Sequence, residues 1–259
     1  MTTWKAILLG IIQGLTEFLP VSSSGHLELG QYLLGMRDLH QFILFDLICH
    51  LGTLCAIVYV FLPQIKHSFS NQTRLMQIVI GTLPLFPLVL ILKPIKSLFN
   101  QPEYLGICFL ITAAFLFAGT YFHLRIRKSS SSWKDPLTIG LFQAVAILPG
   151  ISRSGATISA ARLLGWQKEE AIQFSFLLAI PTILGGTALE VAQFILHPAA
   201  PTAALTATQI FAGFLTSFFV GCFALKLLIR MMNQDKWIYF AWYCLFLGIV
   251  TTLNFNVIR

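Results

Sequence analysis

The stretch GIIQGLTEFLPVSSSGHLELGQYLLG, residues 10–35, recurs with variation as GLFQAVAILPGISRSGATISAARLLG, residues 140–165. The two stretches align without a gap at an offset of 130 (140 − 10), which pairs Gln13 with Gln143. Each is apolar at both ends and interrupted in the middle by Pro, Gly and Ser, so neither is expected to form one straight helix. We therefore predict two related helix–loop–helix segments, over about 5–35 and 136–165.

The rest of the chain is apolar enough to exclude a soluble or disordered protein. Of its 259 residues, 56% are hydrophobic and 10% are charged, with a mean hydropathy of +0.78, whereas soluble domains carry about 25% charged residues. Uninterrupted apolar runs predict six transmembrane helices, at about 41–62, 75–92, 104–123, 171–195, 209–229 and 237–256. The expected fold is an all-α polytopic membrane protein, a single integral membrane domain over 1–259 with repeat halves at about 1–130 and 131–259.

The two interrupted segments are expected to be re-entrant, because irregular backbone at membrane depth is tolerated only where protein or a water-filled cavity satisfies it. A re-entrant segment leaves the membrane on the side it entered. Since three predicted spans follow the first copy, the two copies should be upside down relative to one another, as in transporters with inverted repeats.

Basic residues predict the orientation of this arrangement. Ten of them fall in loops assigned to one side and five in loops assigned to the other, which favours the first side as cytoplasmic. The ten are Lys66, Arg74, Arg125, Arg127, Lys128, Lys134, Arg162, Lys168, Arg230 and Lys236, and the five are Lys5, Arg37, Lys93, Lys96 and Arg259. The first interrupted segment then opens outward and the second inward.

Several classes of function are excluded because the sequence lacks the charge distribution or the motifs that they require. The formal charge of +7 comes from residues scattered between apolar runs, not from a basic stripe, so no nucleic-acid partner is expected. The five cysteines lie in or beside apolar runs without metal-type spacing. No phosphate-binding glycine loop, dinucleotide fingerprint or zinc motif is present, and nothing indicates an organic cofactor.

The first interrupted segment carries a cluster of polar residues suited to catalysis. Gln13 and Glu17 are four residues apart and share a helix face, where they could hold one cation or one hydrogen-bond network. The hydroxyls of residues 22–24, followed by Gly25 and His26, place a nucleophile and a general base within a few residues. The alternative is structural, since serines commonly cap a helix after a break and a histidine can bond a carbonyl.

The second interrupted segment places Arg153 in its turn. A guanidinium there needs an anion, and its planar donors suit phosphate oxygens. Ser152, Ser154 and the backbone amides beside Gly155 could form an anion-binding nest at the start of the following helix. The alternative is an internal ion pair with Glu17, which would still bring the two segments together.

Other polar residues give weaker signals. Asp46 and His50, four residues apart, could line the same cavity or form an interfacial pair. Glu190 near a span end is expected to be solvated. An interfacial aromatic belt is predicted from Trp237, Tyr239, Trp242 and Tyr243.

At its two motifs the sequence resembles the bacterial undecaprenyl-diphosphate phosphatase family, also called the bacitracin-resistance proteins. QGLTEFLPVSSSGH (13–26) is similar to the family segment [E/Q]GLTEFLP[V/I]SSTGH, and LPGISRSGATI (148–158) to PG[T/S]SRSG. The resemblance covers nearly the whole chain, since it continues in FDLICHLGTLCAIV from Phe45, FSFLLAIPTILGG from Phe174 and FAWYCLFLG from Phe240.

The resemblance implies hydrolysis of undecaprenyl diphosphate to the monophosphate carrier used in cell-wall synthesis, with bacitracin resistance as a consequence. It implies a divalent cation, Mg²⁺ or Ca²⁺, and an active site on the outer face of the bacterial inner membrane. The partners are then the polyprenyl diphosphate substrate and membrane lipid, and a homodimer is left open.

By position, Gln13 and Glu17 match the acidic pair of the family and are the expected metal ligands. Ser23 and His26 match its proposed catalytic serine and histidine, and Arg153 its diphosphate-binding arginine. Gln13 stands where many members have Glu, which removes one charge, and a serine replaces the usual threonine at position 24. Further expected substrate-binding residues are Ser22, Ser24, Gly25, Ser152, Ser154 and Gly155.

Two questions stay open at this level. The nucleophile could be Ser23, His26 or a metal-bound water. The rival class of function is transport, because an inverted repeat with broken helices could equally flip a lipid or carry a small anion.

Overall fold

A computed structural model describes residues 1–36, 42–90, 102–122, 133–196 and 205–257. Within these ranges the chain is helical and has no strand. The twelve described helices are α1 (Thr3–Thr16), α2 (Ser23–Leu33), α3 (Ile43–Val60), α4 (Leu62–Ser70), α5 (Gln72–Thr82), α6 (Leu85–Leu90), α7 (Pro102–Tyr121), α8 (Lys134–Val145), α9 (Arg153–Leu163), α10 (Lys168–Leu196), α11 (Ala207–Asn233) and α12 (Ile238–Val257). The basic residues Arg37, Lys93, Lys96, Arg125, Arg127, Lys128 and Arg259 lie outside the described residues.

Several helices are suited to a membrane. Four are long and apolar enough to cross one, over Ile43–Val60, Tyr104–Tyr121, Lys168–Gln193 and Ala207–Asn233, and Ile238–Asn254 is a shorter apolar helix. On α11 the side chains of Phe211, Phe219 and Phe223 are all more than half exposed. Their spacing in multiples of four residues places them along one face, where lipid contact accounts for their exposure. The chain is a multi-pass membrane protein.

The predicted span over 75–92 is wrong as a single helix. The chain there forms two short helices, α5 ending at Thr82 and α6 beginning at Leu85. Pro84 lies in the break, because a proline has no N–H to donate and its ring clashes with the carbonyl four residues earlier. Residues 91–101 lie outside the described part of the chain.

The two predicted helix–loop–helix segments are confirmed, and their boundaries repeat. Helices α2 and α9 begin at Ser23 and Arg153 and end at Leu33 and Leu163, so both boundaries keep the offset of 130. Each helix begins with the same cap, in which the hydroxyl of the preceding serine accepts a hydrogen bond from a glycine N–H. Gly25 N donates to Ser22 Oγ at 3.4 Å, and Gly155 N donates to Ser152 Oγ at 3.1 Å.

Helices of the two predicted halves pack against each other. Helix α1 packs on α11, and its counterpart α8 packs on α5. A Cβ atom added at Gly10 would lie 3.0 Å from Gly213 O, and one added at Gly140 would collide with the backbone of Gly81. Since Gly10 and Gly140 are equivalent positions, glycine permits the same close helix crossing twice.

The breaks of the two segments meet face to face. A Cβ atom at Gly25 would lie 3.2 Å from Gly150 Cα, and one at Gly155 would lie 3.4 Å from Pro20 Cβ. At the repeat offset these are the same contact with its partners exchanged, which is the mark of a local two-fold relation. This relation places the beginning of α2 beside the beginning of α9.

An aromatic core supports the first break from behind. Phe18 is fully buried and meets the ring of Phe176 edge-on, with 5.6 Å between ring centroids. Phe61 stacks on the same Phe176 ring, also at 5.6 Å. Burial of these rings fixes the backbone of the break, so that Glu17 beside Phe18 lines a cavity on the other side.

Candidate functional site

The motif residues meet at a cavity of about 370 Å³ between the two breaks. Its polar lining includes Glu17, Ser23, Ser24, His50, Ser152 and Arg153. Its apolar lining includes Leu47, Leu85, Phe86, Ile147, Ile151 and Ile183. A ligand with an anionic head and an apolar tail finds partners of both kinds here.

Glu17 is the centre of the polar network. Its Oε2 atom accepts hydrogen bonds from Ser23 Oγ at 2.7 Å and from Gln13 Nε2 at 3.0 Å. Its Oε1 atom accepts from an Arg153 guanidinium N–H at 2.7 Å. The carboxylate is buried, and a buried charge needs such partners to offset its lost hydration.

The ion pair between Arg153 and Glu17 joins the two segments across 136 residues. It is the internal pairing that the sequence offered as an alternative to anion binding. At the repeat offset the equivalents of Glu17 and Arg153 are Ile147 and Ser23. The two related segments therefore form one ionic site and not two, with Glu17 from the first copy and Arg153 from the second.

The structure does not bring His26 to Ser23. His26 Nδ1 lies 2.7 Å from Ser22 O, and Nε2 lies 2.7 Å from the Tyr243 hydroxyl. The imidazole does not line the cavity that holds Ser23 and Glu17. The group positioned to accept a proton from Ser23 is thus the Glu17 carboxylate, and not His26, which the sequence offered as the general base.

The expected substrate-binding residues divide into two groups. Ser24 and Ser152 line the cavity together with Ser23. Ser24 Oγ also accepts a hydrogen bond from Gly150 N at 3.2 Å, so it ties one break to the other. The remaining members do not line the cavity and lie in the turns that begin α2 and α9: Ser22, Gly25, Ser154 and Gly155.

Three of the weaker sequence signals lie at or beside the cavity. His50 lines it, and its Nε2 atom is 3.8 Å from Glu17 Oε2. Asp46 does not line it and accepts a hydrogen bond from Gln31 at 2.9 Å. Glu190, expected to be solvated, is part of the lining.

Two residues that the sequence did not identify contribute to the site. Thr112 Oγ1 accepts a hydrogen bond from Ser152 N at 3.0 Å and so holds the turn before α9. Tyr243, assigned to an aromatic belt, contacts His26. Each lies far along the chain from its partner, and no local pattern in the sequence points to either contact.

The oxygen atoms at Glu17 are suited to a divalent cation that takes its remaining ligands from a phosphate group. Among the described residues, no three His, Cys, Asp or Glu side chains cluster as a complete metal site. Gln13 Oε1, however, is buried without a hydrogen-bond partner in the described part of the chain, while the Nε2 atom of the same amide donates to the Glu17 carboxylate and the side chain does not line the cavity. Carboxylate and amide oxygens are hard donors, and Mg²⁺ is commonly held by one or two carboxylates plus substrate phosphates.

A second cavity, of about 510 Å³, lies where α4, α5 and α10 meet. It contains none of the motif residues. Arg74 at its wall is paired with Glu170 at 3.0 Å. The motif cavity is therefore the better candidate for the functional site.

Comparison with known proteins gives matches over nearly the whole chain. The family described as "Bacitracin resistance protein BacA" matches residues 6–250. A protein of Protochlamydia amoebophila named undecaprenyl-diphosphatase is 64% identical over 258 residues, covering 99% of this chain and 100% of the relative. Proteins with the same name from Alkaliphilus metalliredigens and Bacteroides thetaiotaomicron are 37% and 36% identical, each over 98% of this chain and at least 98% of the relative.

Proposed function

This chain belongs to the BacA family of bacitracin resistance proteins, and we propose on that premise that it hydrolyses undecaprenyl diphosphate to undecaprenyl phosphate and inorganic phosphate. The reaction returns the lipid carrier to cell-wall synthesis and confers resistance to bacitracin. The observation that carries the proposal is the Ser23 hydroxyl 2.7 Å from the Glu17 carboxylate, in a cavity that also holds Arg153.

In the first step Ser23 attacks the terminal phosphorus. The bond from Ser23 Oγ to phosphorus forms and the bridging P–O bond breaks, so that the lipid monophosphate leaves with the bridging oxygen. The Ser23 proton passes to Glu17 Oε2, which already accepts its hydrogen bond. Ser23 is preferred over His26 because both nitrogens of that imidazole are engaged elsewhere.

In the second step a water molecule attacks the phosphoserine. The new P–O bond forms, the bond to Ser23 Oγ breaks, and Glu17 returns its proton to that oxygen. The water proton stays on the inorganic phosphate or passes to solvent. The sum of the two steps is the hydrolysis of one phosphoric anhydride bond.

Arg153 supplies the positive charge for the phosphoryl group. Its side chain lines the cavity, and its one side-chain hydrogen bond among the described residues goes to Glu17. A guanidinium has five N–H donors, so it can hold phosphate oxygens while it remains paired. Stabilisation of this kind acts where charge develops in the transition state and is a large part of phosphoryl-transfer catalysis.

We propose Glu17 and Gln13 as the protein ligands of a divalent cation, Mg²⁺ or Ca²⁺. When bound, the cation would neutralise negative charge on the diphosphate oxygens. The buried and unpartnered Gln13 Oε1 supports this assignment. Glutamine supplies a neutral oxygen, so the charge at the site comes from Glu17 alone.

The function is tested by phosphate release from purified protein in detergent, where no gradient can drive transport. Substrate labelled in its terminal phosphate should release that phosphate and, after acid quenching, leave an acid-stable phosphoryl group on Ser23. An acid-labile group would assign the nucleophile to histidine. Hydrolysis without a trapped intermediate would favour a metal-bound water, and absence of phosphate release would favour the transporter alternative.

We further propose that α1–α2 and α8–α9 are re-entrant, that the protein lies in the bacterial inner membrane, and that the cavity opens outward. The two-fold contact between the breaks supports related segments, and the ten-to-five distribution of basic residues supports the orientation. A homodimer remains a proposal that the mass of the detergent complex can test.

Cysteine labelling in a cysteine-free background checks the topology. Leu33 and Gln167 are exposed positions at the end of α2 and just after the end of α9, and Ala207 is exposed at the start of α11. Impermeant reagent added outside cells should label Leu33→Cys and Ala207→Cys, whereas Gln167→Cys should react only after permeabilisation. Labelling of Leu33→Cys and Gln167→Cys from one face would contradict the inverted repeat.

A further inference from the structure

Ser22, immediately before the proposed nucleophile, has an unusual backbone conformation. Its φ of 72° lies in the left-handed region, which a non-glycine residue adopts only at a cost. Ser22 and Asp235 are the two non-glycine residues with positive φ in the described part of the chain. A turn of this kind persists only when its surroundings hold it, so the groups bonded to Ser22 determine where Ser23 points.

His26 holds the Ser22 carbonyl. That oxygen accepts from the His26 backbone N–H at 3.3 Å and from His26 Nδ1 at 2.7 Å. Because a carbonyl only accepts, Nδ1 must carry a hydrogen, and in the neutral ring Nε2 is then an acceptor. The Tyr243 hydroxyl, 2.7 Å away, is its donor.

Aromatic contacts restrain the same imidazole on two sides. Tyr243 stacks on it with 5.6 Å between ring centroids, and Phe109 meets it edge-on at 5.4 Å. With both nitrogens bonded and both neighbours packed, the ring has one orientation. The His26 imidazole is therefore fixed in place and can hold the Ser22 carbonyl.

The second copy of the motif provides an internal comparison. Ser152, the equivalent of Ser22, has an ordinary φ of −74°. The equivalent of His26 is Ala156, whose N–H donates to Ser152 O at 2.9 Å and whose side chain cannot bond it. The left-handed turn and the histidine occur together in the copy that carries the serine paired with Glu17.

We propose that His26 and Tyr243 are positioning residues that hold Ser22 in its left-handed conformation and thereby keep Ser23 Oγ against Glu17. The proposal rests on Ser23 as the nucleophile of the proposed function. Tyr243 acts only through His26, and neither side chain takes or gives a proton in the reaction.

Substitutions at His26 separate this role from acid–base chemistry. Asparagine places an amide N–H near the position of Nδ1, so His26→Asn should keep the bond to Ser22 and lose the bond to Tyr243. We expect Tyr243→Phe and His26→Asn each to lower kcat about 3–10-fold with unchanged KM, the range of one hydrogen bond. The double variant should fall no further than either single variant. His26→Ala loses the bond to Ser22 and the ring contacts together, so it should lose more than about 10-fold.

The control is Tyr239→Phe, an exposed tyrosine one turn earlier on α12, which should match the wild type. Thermal unfolding in detergent verifies folding, and only folded variants are compared. The proposal is overturned if His26→Asn is as inactive as His26→Ala, if the two single losses multiply, or if Tyr243→Phe lowers Tm without lowering kcat.

A measurement without turnover separates this proposal from the proposed function. The rate at which a fluorophosphonate modifies Ser23 should fall by the same 3–10-fold in Tyr243→Phe and His26→Asn. If the wild type released no phosphate while this pattern held, positioning would stand and the phosphatase function would fail. Equal modification rates in wild type and both variants would refute positioning, whatever the phosphatase activity.

Discussion

Arg153→Ala is expected to lower kcat/KM for the lipid diphosphate by about 100- to 1,000-fold, or roughly 3–4 kcal/mol of transition-state stabilisation. The variant removes the guanidinium from a cavity that also holds Ser23. It also leaves the buried Glu17 carboxylate without its ion-pair partner, so the thermal stability in detergent should fall as well. Steady-state kinetics and thermal unfolding measure the two effects separately.

Arg153→Lys should recover little of this activity, because an ammonium group restores the charge but not the planar pair of donors. The matched control is Arg74→Ala, since Arg74 also pairs with a glutamate at 3.0 Å but lies at the other cavity. That variant should keep wild-type kinetics. Turnover near the wild-type level in Arg153→Ala or Arg153→Lys would remove Arg153 from phosphate binding.

Glu17→Gln is expected to lower kcat by about 100- to 10,000-fold, the usual contribution of a positioned general base. The amide keeps the size of the side chain but cannot take the Ser23 proton from the 2.7 Å hydrogen bond. If Glu17 also binds the cation, the remaining activity should no longer depend on Mg²⁺ or Ca²⁺. Titration of activity with metal after chelation, in wild type and variant, tests both expectations.

The partners of Glu17 supply the controls. Ser23→Ala combined with Glu17→Gln should be little worse than either single variant, because groups that act as one unit are not additive. Gln13→Glu should be tolerated and should strengthen cation binding by adding a carboxylate. Full, metal-dependent activity in Glu17→Gln would mean that the cation and the proton are held elsewhere.

Much of the local structure was predictable because it depends on neighbouring residues. Proline, glycine and serine in residues 20–25 and 149–155 end one helix and cap the next, through backbone rules that act over a few positions. The internal repeat then predicted the same element twice, and α2 and α9 have matching boundaries. Apolar runs likewise predicted the four long membrane-competent helices.

One local prediction, the single span over 75–92, is wrong because it rested on hydropathy and not on backbone chemistry. The run over 75–92 is apolar enough for a span, but Pro84 separates α5 from α6. A sliding-window hydropathy adds up the transfer free energies of the side chains, and it takes no account of a backbone N–H donor that a proline lacks.

The sequence motifs identified Gln13, Glu17, Ser23, His26 and Arg153 as candidates, since ionisable and hydroxyl side chains in an apolar segment are costly unless they serve a function. Some of their partners are local, since Gln13 and Ser23 both bond Glu17 within six residues of the chain. The long-range partners were decided by packing between distant segments. Contact of the two breaks pairs Arg153 with Glu17 across 136 residues, and α12 brings Tyr243 to His26 across 217. A side chain buried at such a junction bonds whatever donor or acceptor the facing helix presents, and that depends on the helix crossing and not on the spacing along the chain.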